Sequence, residues 1–184
     1  MPRSGAPARA RLREAALELY GSHGYEATTT AEIAARAGVT ERTYFRHFAD
    51  KREVLFDGED DLRTVMVDAI ANASGKVTPL QLVVGAFRAA VPLLVGGRPV
   101  AERRAAIIAT SPALQERAQA KSASLADAVI GALVARGISE PTARLAARAG
   151  AAVFEHATAA WDGTADGDLG GLIDQAAEEL RDLS

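Results

Sequence analysis

The stretch TTTAEIAARAGVTERTYFRHF, Thr28 to Phe48, decides the fold. Thr29 and Thr30 offer hydroxyls where a short helix can start, Glu32 falls in its first turn, and Ile33, Ala34 and Ala37 give it an apolar side. Gly38 permits a tight turn, and Val39 follows it as an apolar plug. Thr40 is placed to cap a second helix, on which Thr43, Tyr44, His47 and Phe48 recur at offsets of three and four and seat it on the first. Two short helices joined at a glycine-containing turn make a helix-turn-helix. The other side of the second helix carries Glu41, Arg42, Phe45 and Arg46 in place of aliphatic core, and these side chains reach base edges or phosphates in a major groove.

Outward from this stretch, RLREAALELYGSHGY (Arg11 to Tyr25) precedes it and DKREVL (Asp50 to Leu55) follows it. Residues 11–55 together resemble the N-terminal DNA-binding domain of the TetR/AcrR family of bacterial transcriptional regulators. The resemblance is carried by an apolar helix ending in Gly24-Tyr25, then Thr28-Thr29, Ile33-Ala34, Ala37-Gly38-Val39, Thr43, His47-Phe48 and Lys51. It implies an all-α fold: a three-helix DNA-binding head over residues 1–50, then a larger helical effector-binding and dimerisation domain over residues 51–184, with about nine helices in all. It also implies a homodimeric repressor, released from a palindromic double-stranded operator by a small effector. Two adjoining positions depart from the family pattern. Leu is usual where Tyr44 stands, and Tyr where Phe45 stands, the latter often giving its hydroxyl to a phosphate. Phe45 keeps ring contact with a sugar or a thymine methyl, while Tyr44, on the seating face, reads as a bulkier core residue. His47 and Lys51 retain the family's phosphate-facing types.

The expected DNA-binding set follows. Hydroxyls of Thr28 or Thr30 and of Thr40, with backbone N–H groups at the helix starts, are expected to meet phosphates. The fork of Arg42 matches guanine O6 and N7 or, equally, a phosphate, and Glu41 is suited to accept from cytosine N4. Thr43, Phe45, Arg46, His47 and Lys51 complete the set.

Composition agrees with this architecture. The chain has 184 residues, 48% of them hydrophobic, and its wealth of Ala and shortage of aromatics favour helix over sheet. Residues 1–52 hold nine Lys/Arg and six Asp/Glu, net +3, whereas residues 53–184 hold twelve and eighteen, net −6, which gives the overall −3. A basic front on an acidic remainder suits a protein that puts one end on DNA. The absence of cysteine excludes disulfides, thiolate catalysis and thiol-rich zinc sites. No metal-ligand spacing or resident cofactor motif is found, and the three histidines lie far apart. No uninterrupted apolar run of bilayer length is read, so the expected location is cytoplasmic, away from membrane. Residues 1–7, with two Pro and a Gly, read as a disordered basic arm.

Helices are expected at about 8–22, 50–73, 80–95, 100–109, 111–135, 140–161 and 167–183, with Gly96 to Pro99 as a turn. The helix over 50–73 is the expected lever from head to body. Met66, Phe87, Val91, Ile107, Phe154 and Trp161 are the candidate lining of an effector pocket. Arg103, Arg104 and His156 are the polar groups that would orient an acid or thioester. The effector is accordingly expected to be small and apolar or amphipathic, with fatty acids and acyl thioesters among the candidates. Ala147, Gly150 and Ala151, then Leu169, Leu172, Ile173, Ala176 and Leu180, give the last two helices small or apolar stripes. The resemblance makes them a dimer interface, although completing one chain's own core is an equal use of the same pattern. Glu155-His156 does not share a helical face, and neither a His-x-x-x-His pair nor a Glu-x-x-His arrangement is present, so an enzyme is not expected. The competing reading is a helical ligand-binding or interaction protein without an operator.

Overall fold

In the computed structural model, which describes residues 5–163 and 167–183, the helices of the N-terminal region are set by their caps. Helix α1 spans Gly5–His23, so residues 5–7 of the expected arm are helical, while residues 1–4 lie outside the described residues. Helix α2, Thr30–Arg36, begins with a reciprocal capping box: Thr29 Oγ1 accepts the Glu32 N–H at 3.2 Å, and the Glu32 carboxylate accepts the Thr29 N–H at 2.8 Å. Gly38, at φ 66°, sits in the left-handed region that ends this helix, and the Val39 N–H returns to the Ala34 carbonyl at 2.9 Å. Helix α3, Glu41–His47, is capped by Thr40, whose Oγ1 accepts the Thr43 N–H at 3.2 Å.

The chain divides by packing into two compact units, the first through Gly58 together with Pro99–Ala120, the second Glu59–Arg98 together with Lys121 onward. A single cut after residue 50 describes neither. Helices α5 (Pro79–Ala109) and α6 (Pro112–Ala135) each supply residues to both units.

In the first unit, Leu12, Ala16, Leu17, Ile33, Tyr44 and Val54 are buried in one core that Ile107 and Leu114 complete. Tyr44 takes the core role expected of it, with its hydroxyl donated to the Asp50 carbonyl at 3.1 Å. The expected continuous helix over 50–73 is broken. Asp50 Oδ1 accepts the N–H groups of Arg52 and Glu53 at 2.7 and 3.1 Å and starts a 3-10 turn, Glu53–Phe56. Val54, Leu55 and Phe56 are all buried, a demand that a one-sided α-helix cannot meet. Asp57 then turns its carboxylate to Arg9 Nε at 2.5 Å and Arg13 Nη1 at 3.3 Å, and Gly58, at φ 93°, precedes α4, Glu59–Asn72.

The second unit contains α4, the larger parts of α5 and α6, and helices α7 (Glu140–Ala160) and α8 (Leu169–Asp182). Its core has two parts. Met66, Ile70, Leu82, Val83, Val129, Leu133 and Ala143 form one, and Val84, Val153, Ala157, Trp161, Leu169 and Ile173 the other. Gly96-Gly97-Arg98-Pro99 is not a turn: α5 runs through it and through Pro92 for 31 residues. Two prolines each remove a helical hydrogen bond. Apolar anchoring on both sides offsets this, Leu94 and Val95 packing in the second unit and Val100 in the first. Helix α5 also holds an 18-residue window of mean hydropathy 1.6 that is not an uninterrupted apolar run, being broken by polar and charged residues such as Gln81 and Arg88, yet is long enough to cross a bilayer by length and composition. Of that window 28% is buried, with Leu82, Val83, Val84, Ala86 and Ala90 inside the second unit.

Most of the residues expected at a dimer interface lie inside this unit. Ala147, Leu169, Ile173 and Ala176 are buried, and Leu172 and Leu180 pack half-buried on the same core. A Cβ at Gly150 would meet the Val83 side chain, so this glycine lets α7 approach α5 of its own chain. The α8 stripe is used the same way, because α7 and α8 pair along their length. Only Ala151 of the expected residues is exposed, while Leu145 of α7 and Leu183 beyond α8 are 70% and 85% exposed.

Candidate nucleic-acid interface

Helix α3 has a seated side and an open side, and the chemistry of the two differs. Tyr44 is buried; Glu41, Arg42, Phe45 and Arg46 are exposed, Phe45 by 52% despite its size. Burying a phenylalanine stabilises by roughly 1.5–3 kcal/mol, so one left open on a charged helix is available for contact. It stands edge-on to Tyr44, ring centroids 5.6 Å apart, which fixes its direction. Arg42 and Arg46, four residues apart on that side, have no hydrogen-bond or ion-pair partner among the described residues.

Glu41 is not free in the same sense. Its Oε1 accepts the Thr30 hydroxyl at 2.5 Å, tying the start of α3 to the start of α2. Thr40 and Thr43 share a hydroxyl contact of 3.0 Å at the same end. His47 is partly buried, and its imidazole is held below its ordinary range by desolvation first, then by the charges of Arg46 and Arg9. Its Nε2 is buried with no hydrogen-bond partner among the described residues.

Two expected phosphate contacts take structural roles instead. Thr28 is 1% exposed and donates its hydroxyl to the Gly24 carbonyl at 2.9 Å, closing the turn before α2. Lys51 donates to the carbonyls of Tyr25, Glu26 and Thr28 at 2.9, 3.3 and 3.1 Å, with its Nζ 4.2 Å from the Tyr25 ring centroid. An ammonium has three protons, and all three are engaged. Lys51 therefore holds the loop leading into α2, an arrangement invisible to spacing because its partners are backbone atoms 23 to 26 residues away. Tyr20 acts in the same cause, donating its hydroxyl to the Lys51 carbonyl at 2.6 Å. The basic end of α2 is pinned too: Arg36 pairs with Glu18, and Arg11 Nε donates to the Ala37 carbonyl at 3.0 Å.

The expected effector residues separate. The second unit holds a cavity of about 240 Å³ lined by Leu62, Met66, Val83, Phe87, Leu94, Ser122, Leu125, Ala126, Val129, Ala147, Ala151 and Phe154. Met66, Phe87 and Phe154 are among these, the two phenylalanines stacked with centroids 4.5 Å apart. Val91 and Trp161 pack in the neighbouring core, with the Arg98 guanidinium 4.4 Å from the indole ring centroid. Ile107, Arg103 and Arg104 belong to the first unit; there Ile107 is core and Arg103 pairs with Glu14 at 2.7 Å. His156 is exposed and faces Glu179, Nε2 to Oε2 3.2 Å. Of the small residues of α6 and α7 that open the cavity, Ser122 and Ala126 were the missed signal, whereas Ala147 and Ala151 are two of those expected in a small-residue dimer stripe. They recur at an offset of four on each helix.

Residues 12–57, the helix-turn-helix and the helix before it, match the family model described as bacterial regulatory proteins, tetR family. The HTH-type transcriptional regulator TcmR of Streptomyces glaucescens is 41% identical over 81 residues, which cover 44% of this chain and 36% of that protein. The chain thus spans about a third of the length of that curated relative. Across nearly the whole chain the fold is similar to that of a transcriptional regulator from Pseudomonas aeruginosa PAO1, with TM-score 0.64 and 18% identity, covering 95% of this chain and 89% of that one. A TetR-family regulator from Mesorhizobium loti gives TM-score 0.62 and 18% identity over 98% of each chain. Residues 12–57 thus match the bacterial regulatory proteins of the tetR family, and over nearly its whole length the chain shares its fold with regulators so described.

Proposed function

We propose that the protein is a sequence-specific regulator of transcription, a two-fold dimer that binds a palindromic operator in the cytoplasm, represses there, and is released by a small effector. The observation that carries this reading is the open side of α3, where Arg42 and Arg46 project without a hydrogen-bond or ion-pair partner among the described residues and Phe45 is 52% exposed, while both helix starts are capped and cross-tied. Such a rigid element is what direct readout in a major groove needs. A two-fold dimer presents two of them, and half-sites about one helical turn or a multiple apart, roughly 34–36 Å per turn, match it.

Selection from random duplexes by the purified protein tests this. An inverted repeat should be enriched, and its affinity should fall steeply with salt as counterions are released. Enrichment of no sequence at all would favour an interaction protein that has kept the fold alone.

Leu145 supports dimerisation through α7. Leu145, 70% exposed on α7, is the apolar position this reading assigns to a partner helix, since the expected Leu172 and Leu180 pack partly buried on their own core. Leu145→Glu should yield a monomer by mass in solution across a dilution series, with helical melting unchanged. A dimer that survives this substitution at micromolar concentration would place the interface elsewhere.

The effector reading rests on the apolar cavity, which at about 240 Å³ falls just below the usual range of roughly 300–1,000 Å³ for small-molecule sites and so suits a small ligand. Helices α5 and α6 run through both units and are the elements through which binding in one is felt in the other. They replace the broken 50–73 segment as the proposed lever. A coupling of about 1–3 kcal/mol would weaken operator binding roughly 5–150-fold.

A further inference from the structure

Local propensity and tertiary structure disagree at residues 96–99 of α5. Gly96 and Gly97 are poor helix residues, and Pro99 lacks the N–H that would bond the Val95 carbonyl, yet the helix runs on through all three. Burial is thin there as well. No residue from 91 to 106 is fully buried, and Leu94, Val95 and Val100 on either side of the segment pack only half-buried. A conflict of this kind inside a regular element marks a place where two conformations compete.

Within the segment a tertiary contact is made by Arg98. Its guanidinium lies over the Trp161 indole, Cζ 4.4 Å from the ring centroid. It also rests against Gly163, where an added Cβ would overlap its Cζ, Nη2 and Nε. Gly163 has φ 83°, so both the space and the backbone at this position call for glycine. Trp161 is itself fixed: its N–H closes α7 on the Ala157 carbonyl at 3.1 Å, and it is 9% exposed in the core that Val153 and Leu169 share. The exit from α7 therefore forms a cradle for a side chain of α5. Arg98 is the last residue of α5 that counts with the second unit, and Pro99 is the first that counts with the other.

We propose that residues 96–99 are a helix-to-turn switch in α5, set to helix by the Arg98 guanidinium in the cradle of Trp161 and Gly163. Once the guanidinium leaves, the two glycines and Pro99 form the turn that their own propensities favour, and α5 is divided between the residues it gives to one unit and those it gives to the other. The switch itself is independent of DNA. Its regulatory use rests on the proposed function, in which α5 is one of the elements that carry coupling.

Hydrogen–deuterium exchange of the full chain tests the switch. Amides of residues 100–103 bond the carbonyls of residues 96–99 while the helix is continuous, and amides of residues 83–90, in the buried part of α5, report general folding. Gly163→Ala leaves α5 unaltered, yet it should speed exchange at 100–103 by roughly two- to thirtyfold, the range of a cation–π contact, with 83–90 unchanged. Arg98→Gln should do the same, and Arg98→Lys should keep part of the protection, since an ammonium can stay over the ring. Alanine at both 96 and 97 would meet nothing within 4 Å and should restore protection in the Gly163→Ala and Arg98→Gln backgrounds by favouring helix. Unchanged exchange at 100–103 in either single variant, faster exchange that extends equally over 83–90, or failure of the two alanines to restore protection would overturn the proposal. Operator affinity of the same variants separates the switch from the regulatory reading. Faster exchange with operator affinity unchanged keeps the switch and defeats α5 as the lever, whereas altered operator affinity with exchange unchanged keeps the lever and overturns the switch.

Discussion

Replacing Arg42 by alanine should weaken binding to the protein's best duplex by about 1–3 kcal/mol per half-site, and by about 2–6 kcal/mol for a dimer that carries the change in both subunits. In the proposed dimer, two half-sites about one helical turn apart would lose affinity independently, so the losses would add. The corresponding loss of affinity is roughly thirtyfold to twenty-thousandfold. The basis is an exposed guanidinium at the N-terminal end of α3 with no hydrogen-bond or ion-pair partner among the described residues. Titration against the selected duplex and against versions changed at one base pair distinguishes two uses of the side chain. A guanine contact loses discrimination at one position of each half-site. A uniform drop across all duplexes would assign Arg42 to phosphate. Folding should be untouched, since the residue is solvent-exposed and lies beside none of the core.

Tyr44→Ala should cost about 3–5 kcal/mol in denaturant unfolding, a large share of the roughly 5–15 kcal/mol available to a domain. The ring is fully buried, with the Phe48 and Phe45 ring centroids 5.5 and 5.6 Å away, and it joins α3 to the core shared with α1 and α2. Tyr44→Phe removes only the hydroxyl that reaches the Asp50 carbonyl and should cost about 1 kcal/mol. Equal losses in the two variants would show that the hydrogen bond, rather than the packing, holds α3 in place. Burial pushes the phenols of Tyr44 and Tyr20 well above the ordinary tyrosine range. Both therefore stay protonated in the folded state while the unfolded chain ionises them above about pH 10. Stability should be fully present below that pH and fall as pH rises beyond it, and Tyr44→Phe should reduce the slope.

What the sequence by itself determined is concentrated in residues 12–57. Caps act over three residues, a left-handed glycine over one, and a helical face over three and four, so Thr29, Gly38, Thr40 and the burial of Tyr44 were all legible from spacing. The all-α class was legible for the same reason. The break between Asp50 and Glu59 was not, because three consecutive buried residues arise from the core that receives them and not from any local propensity. Gly96 to Pro99 read as a turn because propensity is weak per residue, and only apolar packing on both sides carries α5 through it. The uses of Lys51 and Thr28 depended on which carbonyls the fold brings to them. The last two helices show the limit most clearly. Their apolar stripes were evident, but a stripe states only that it must be covered, and tertiary structure alone decided that Ile173, Ala176 and Gly150 are covered by their own chain and Leu145 is not.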